Sequence, residues 1–322
     1  MAHGAGPEQV TDVVPDCEDG EEGSLKLHMA HDGRDVQETF DAVIGADGSS
    51  SCLRPCLFDD TGHEPFTGFA CVQGFVLDPT RACPGLHAVM GGGSMMVREG
   101  GVVLWAQRYA VAQDDARICF YISVRSDSPD SLRNSIGPGG DAAVRQWAAK
   151  QLCTWATPFR ELPQAAEWFV LRNLYHHPMR PRLRAEAGSM AMSLCGDALH
   201  AMLPFQGAGA NVGMQGAGDL ATAILTASRA TTASSRHHQL VRGLRTAEGV
   251  MLRRSADEAQ LSLEAAVYYH SPDGSGLDPR LFGGSVLAVL LRMRAAEVAA
   301  GTNWLWPMIL AGVGVAAAAA LW

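Results

Sequence analysis

The segment CGDALHAMLPFQGAGANVGMQGAGDLA, residues 195–221, decides the fold. It follows the apolar run Met190 to Leu194 and reads as a buried strand, a glycine-rich loop, and then a small-residue helix from Val212 to Ala227. Gly207 and Gly209 lack the Cβ atoms that would hold a flat ligand off the backbone. The helix that follows offers unpaired N–H groups with a partial positive charge, a place suited to an anionic or electron-rich edge. Asp197, after Gly196 at the strand end, can accept hydrogen bonds from sugar-like hydroxyls. Taken alone, the same residues also read as a turn, a cap and close helix packing, and the two readings stand level.

Working outward, FDAVIGADGSSSCLR (40–54) is a second apolar run that ends in an Asp-Gly turn, as for a buried strand opening into a loop. Such strand ends are where α/β proteins bind ligands. Between the two segments, Gly68–Leu77, Val102–Tyr109 and Arg117–Val124 are rich in β-branched and aromatic residues and predict an antiparallel sheet. A Ser/Pro/Gly-rich connection (126–141) precedes a helix over 142–155, and a strand is expected over 167–173. Upstream, short strands are expected at Gln9–Val14 and Leu25–His28, joined by an acidic hairpin loop at 16–22. Downstream, 240–266 has the spacing of a long amphipathic helix.

Together, the two segments resemble the downstream flavin motifs of the class A FAD-dependent monooxygenases, the aromatic hydroxylases of the salicylate and para-hydroxybenzoate type. Asp47 and Gly48 match the Asp-Gly motif, with Ser51 and Arg54 at the later positions. Gly196 and Asp197 match the Gly-Asp motif, with His200, Pro204, Gly207, Gly209 and Asn211 following in the family's order. The resemblance implies FAD as cofactor and NAD(P)H as co-substrate. It implies that Asp197 bonds the ribityl chain and that Pro204 lies against the flavin ring. The amides around Gly209, Ala210 and Asn211 would face the pyrimidine edge, with Asp47 and Gly48 near the pyrophosphate. No catalytic side chain is implied, because the flavin itself carries the oxygen.

The resemblance covers about residues 8–265 and has two departures. Gly216 stands where relatives carry Asp, with Asp219 three residues on, and a helix-interior glycine costs about 1 kcal/mol, so a looser helix start is expected. The opening strand, GxGxxG turn and helix that hold the ADP half are not matched. Gly4-Ala-Gly6-Pro7 is a poor substitute, and weak FAD binding or none is expected of this stretch alone.

The fold expected is therefore α/β: an incomplete Rossmann-like three-layer FAD-binding domain, an antiparallel substrate domain and a C-terminal helical tail. The boundaries are 1–65 (FAD-binding region with the Asp-Gly motif), 66–185 (β-rich substrate domain), 186–270 (Gly-Asp motif and long helices) and 271–322 (tail). The function expected is hydroxylation or epoxidation of a small hydrophobic or aromatic substrate. The alternatives are a non-catalytic membrane-associated remnant or binding module, or a related flavin reductase or halogenase.

Composition agrees with a globular chain: 322 residues, 47% hydrophobic and 18% charged. A net charge of −9 gives no footprint for a nucleic acid, and none is expected as partner. Eight cysteines without a CxxC pair read as reduced thiols, and the pairs His176-His177 and His237-His238 as packed or solvated rather than metal-binding. Arg180, Arg182 and Arg184 read as a solvated face, His200 as a loop-orienting residue, and Trp105, Tyr109, Phe120 and Tyr121 as core with some lining a pocket. The stretch 304–322 carries no charge and is bracketed by tryptophans, and it reads as a transmembrane tail-anchor helix ahead of a buried or interfacial one, so a membrane-associated chain with a cytoplasmic globular part is expected beside a purely cytoplasmic one.

Overall fold

A computed structural model of the chain describes residues 9–15, 24–31, 34–59, 65–91, 93–110 and 116–272. The strands, in chain order, are β1 (Gln9–Pro15), β2 (Leu25–His31), β3 (Arg34–Phe40), β4 (Val43–Gly45), β5 (Phe66–Val76), β6 (Ser94–Glu99), β7 (Val102–Ala110), β8 (Ala116–Arg125), β9 (Trp168–Tyr175) and β10 (Met192–Leu194). The helices that matter below are α1 (Arg54–Leu57), α2 (Gly140–Gln151), α3 (Asp197–His200), α4 (Gly209–Ala227) and α5 (Ala233–Tyr269). The chain packs as two units. One combines the residues up to Pro65 with Tyr175–Leu263, and the other combines Phe66–Leu174 with the residues from Glu264.

In the first unit, β1, β2 and β3 form an antiparallel sheet, and β4 pairs in parallel with β10. Residues 40–45 therefore do not form one strand. Phe40 ends β3, and β4 is only three residues long. The core of this unit gathers Met192 and Leu194 of β10, Leu57 of α1, Leu220 and Ala223 of α4, and Leu244 and Met251 of α5. Helices α4 and α5 approach through glycines: a Cβ at Gly216 would lie 2.8 Å from Met251 Sδ, and one at Gly243 would lie 3.1 Å from Ala223 Cβ. The looser helix start expected at Gly216 is corrected by this packing. Helix α4 runs unbroken from Gly209, three residues before the expected start, and Gly216 is buried where α5 crosses close. Asp219 ties the same two helices, accepting from Arg254 Nη2 at 2.8 Å.

The second unit is a five-stranded sheet ordered β6-β7-β8-β5-β9. Alternation sends Ala70, Val72 and Val76 of β5, Leu104 and Ala106 of β7, and Ile118, Phe120 and Ile122 of β8 to one face. There they meet Val144, Trp147 and Ala148 of α2, and Leu86 and Leu162 of short helices. Strands β3 and β6 were not expected from sequence. Helix α5 covers more than the expected 240–266, running from Ala233 to Tyr269.

Among the described residues, the seven cysteines are all free thiols, no His/Cys/Asp/Glu group could hold a metal ion, and no helix is long and apolar enough to cross a membrane. The stretch 304–322 lies outside the described residues.

Candidate flavin site

The parallel register Val43↔Met192, Ser193↔Ile44, Leu194↔Gly45 puts the carboxyl ends of β4 and β10 side by side. The Cys195 amide extends the ladder by donating to the Gly45 carbonyl at 2.8 Å. The Asp-Gly and Gly-Asp segments therefore leave the same end of the same sheet, although 40–54 and 195–211 lie far apart in sequence. Gly45 is required in this pairing, because a Cβ there would stand 2.6 Å from Leu194 Cδ2 and 3.0 Å from Leu53 Cδ1.

The Asp-Gly side is shaped by local bonds. Gly48 adopts φ +84°, which turns the chain. The Asp47 carboxylate accepts from the Cys52 amide at 2.9 Å and from the Cys52 thiol at 3.4 Å. Burial alone would raise the Asp47 carboxyl, but hydrogen bonds from Ser51 and Cys52 hold it below the ordinary carboxylate range. Ser51 Oγ accepts from the amides of Leu53 and Arg54 at 3.2 and 3.1 Å, which sets the start of α1. Arg54 is thereby buried, and its Nη1 donates to the carbonyls of Ala198 (3.1 Å) and Leu199 (2.6 Å), with the guanidinium 5.1 Å over the Phe58 ring. This residue links the two motifs directly.

On the Gly-Asp side, Gly196 (φ +60°) turns the chain out of β10 into α3. Gly213 of α4 packs against that turn, so that a Cβ there would lie 3.3 Å from the Gly196 Cα. The exposed Asp197 carboxylate faces α4 and would stand 3.9 Å from a Cβ on Gly209. Pro204 opens a 3₁₀ turn that closes with the Gly207 amide donating to the Pro204 carbonyl at 3.1 Å. Gly207 is left-handed (φ +64°), and nothing lies within 4 Å of where its Cβ would be. Ala208 precedes α4 and supplies no side-chain cap, so the first-turn amides of Gly209, Ala210 and Asn211 have no side-chain acceptor. An open glycine beside uncapped amides at the start of a 19-residue helix suits the electron-rich edge of a planar ring. The geometry gathers Arg54, Gly196, Asp197, Gly207, Gly209, Ala210 and Asn211 around one turn. It keeps Asp47 and Gly48 on the neighbouring turn, with the Asp47 carboxylate directed to Cys52.

Two features were not read from the sequence. His200 is 5% exposed, and neither ring nitrogen has a hydrogen-bond partner among the described residues. Burial first, and then Arg254 and Arg54, hold its imidazole below the ordinary value, against an opposing pull from Asp197. Beneath the site, Ser193 Oγ donates to Glu248 Oε1 at 2.8 Å, and Glu248 Oε2 pairs with Arg245 Nη1 at 2.9 Å, while Arg245 Nη2 donates to the Met192 carbonyl. Burial raises the Glu248 carboxyl, and Arg245 and Ser193 oppose that rise. This network binds β10 to α5. No spacing in the sequence announces it, because Ser193 and Glu248 meet only through the fold.

Residues 172–246 match the sequence profile of the FAD binding domain. With the fold, this places the chain among proteins resembling the class A FAD-dependent hydroxylases. A relative, the monooxygenase penA of Penicillium thymicola, is 24% identical over 62% of this chain and 52% of its own length. The chain spans about half the length of the curated relatives it matches. Among solved structures, an FAD-containing monooxygenase described as putative, from Photorhabdus luminescens subsp. laumondii, superposes with a TM-score of 0.63 at 22% identity, over 81% of this chain and 68% of that one. Klebsiella pneumoniae HpxO, complexed with FAD and uric acid, superposes with a TM-score of 0.58 at 18% identity, over 85% of this chain and 60% of that one. These two likenesses establish the fold.

Proposed function

We propose that this chain forms the flavin-facing and substrate portion of a monooxygenase that hydroxylates or epoxidises a small hydrophobic or aromatic molecule with NAD(P)H and dioxygen. The observation that supports it is the convergence of the two motifs: β4 pairs with β10, Arg54 bonds the carbonyls of the Gly-Asp turn, and the uncapped start of α4 stands beside Gly207. FAD fits these residues, and when bound it supplies the redox and oxygen-transfer chemistry.

The chain's own residues do the binding and positioning. Asp197 would accept from the ribityl hydroxyls. The amides of Gly209, Ala210 and Asn211 would donate to the pyrimidine edge and stabilise negative charge there. Pro204 would border the ring, Gly207 would leave room for it, and Asp47 and Gly48 would shape the neighbouring turn for the pyrophosphate. Arg54 acts through the turn it holds.

Flavin fluorescence quenching tests the reading. At high concentration FAD should bind weakly, Gly207→Val and Asp197→Ala should weaken that binding further, and an aromatic substrate should stimulate NAD(P)H oxidation. FAD binding untouched by both substitutions overturns it.

A further inference from the structure

The two flavin turns leave the carboxyl ends of β4 and β10. At the amino end of β10 lies a pocket of about 490 Å³, between the 3₁₀ turn at Gly188 and the face of α5 that carries His237, His238, Val241, Arg242 and Arg245. Those α5 residues recur at three- and four-residue spacing and so share a face, while Leu240, Leu244 and Ala247 turn inward to the core. The volume is in the range that holds a small organic molecule.

Charge along α5 is segregated. Residues 233–254 hold five arginines and two histidines against a single acid, Glu248, whereas 255–269 hold three acids and no Lys or Arg. Cations at the amino end of a helix oppose its dipole, and the chain as a whole carries −9, so this basic face runs against both trends. Among the described residues no carboxylate lines the pocket. Glu248 is buried beneath it and engaged by Ser193 and Arg245, and Arg245 is committed in turn, through Nη1 to Glu248 and through Nη2 to the Met192 carbonyl.

Arg242 is the cation left over. It is exposed, and its guanidinium has no acceptor among the described residues. Beside it, His238 Nδ1 donates to the Ser234 carbonyl at 2.9 Å, which leaves Nε2 as the open edge of that ring, and the His237 ring stands edge-on to it with centroids 6.1 Å apart.

A guanidinium without a carboxylate partner offers the fork that phosphate takes, and an imidazole nitrogen either accepts from a phosphate hydroxyl or, when protonated, donates to a phosphoryl oxygen. Phosphate alone would fill only a small part of the pocket. Val241 and the arginine stems supply an apolar wall for the rest of a ligand. We propose that this pocket binds a small organic phosphate, with the phosphate on Arg242 and the two histidines and the organic body against Val241. The site is independent of flavin binding and lies outside both flavin motifs.

Isothermal titration calorimetry of the full chain tests this with phenyl phosphate and glucose 6-phosphate, each against phenol or glucose as the matching alcohol. At least one phosphate should bind about tenfold more tightly than its alcohol, as for a charge-assisted contact. Arg242→Gln should remove that preference, and Arg242→Lys, which lacks the fork, should keep part of it. The double variant His237→Asn/His238→Asn should reduce it severalfold. Arg236→Gln, at an exposed arginine on the same helix but outside the pocket, should leave binding within about twofold of the parent. Failure of both phosphates to bind, equal binding of each phosphate and its alcohol, a preference that survives Arg242→Gln or the double histidine variant, or an equal loss from Arg236→Gln overturns the proposal. Arg242 and Arg236 are exposed, so their variants should keep the parent's near-ultraviolet circular dichroism.

Discussion

Arg54→Met tests the link between the two flavin motifs. Arg54 is 2% exposed and donates to two backbone carbonyls of the Gly-Asp turn, at 2.6 and 3.1 Å. Hydrogen bonds from a charged donor contribute about 1.5–3 kcal/mol each, and the two carbonyls would be left buried without that donor. Methionine fills the aliphatic part of the site and removes the desolvation cost of the guanidinium, which offsets part of the loss. The expected destabilisation is about 2–4 kcal/mol. Urea unfolding followed by far-ultraviolet circular dichroism should show a lower midpoint with an unchanged slope. Arg54→Lys, which keeps a charge but not the planar fork, should fall between parent and Arg54→Met. A loss below about 0.5 kcal/mol for Arg54→Met would refute the reasoning, because that is the range of a substitution touching nothing important.

Other outcomes follow from the same geometry. Gly207→Ala should cost about 1 kcal/mol of stability, from the left-handed backbone, and should weaken FAD binding measured by fluorescence titration, since the added methyl enters the open space beside α4. Asp197→Asn should leave the thermal midpoint nearly unchanged, because the residue is exposed, while raising the FAD dissociation constant. Gly216→Val should destabilise by about 1–3 kcal/mol in urea titration, because its side chain would enter the space of Met251.

The fourth outcome concerns pH. Burial first, and then the Arg125 charge, depress the His270 imidazole to about 4 from 6.5, so the fold favours its neutral form. The stabilisation is complete above pH 6.5 and drains away as pH falls toward 4, amounting to about 3 kcal/mol. His270→Leu should flatten that part of the urea midpoint against pH, and an unchanged slope would count against the assignment.

The turns that frame the candidate site were more legible in the sequence than the strands and helices around them. Gly196 and Gly207 could be picked out because their left-handed turns need glycine, and that need is local. The strands β5, β7 and β8 were visible because β-branched and aromatic residues alternate there with one face buried. Strand β3, reading RDVQETF, was hidden by its polar residues, since pairing with β2 rather than burial specifies it. The role of Gly216 needed Met251 on another helix, and the Ser193–Glu248–Arg245 and Arg172–Gln73–Tyr121 networks join residues no local pattern connects. Such partners become readable only when tertiary structure brings them together.

The bond from Thr67 Oγ1 to the Leu174 carbonyl, at 2.6 Å, joins the two ends of the long insertion between the halves of the first unit. Two of the four strand pairings in its sheet, β6 with β7 and β7 with β8, are sequence-adjacent hairpins that can form early, and once the sheet is complete this bond acts as a staple. Pairing β4 with β10 then closes a loop of on the order of 40 residues rather than about 150, a saving near 1 kcal/mol of chain entropy. Kinetically, the β4–β10 pairing should form after the insertion, and a variant that slows the insertion should delay it in step.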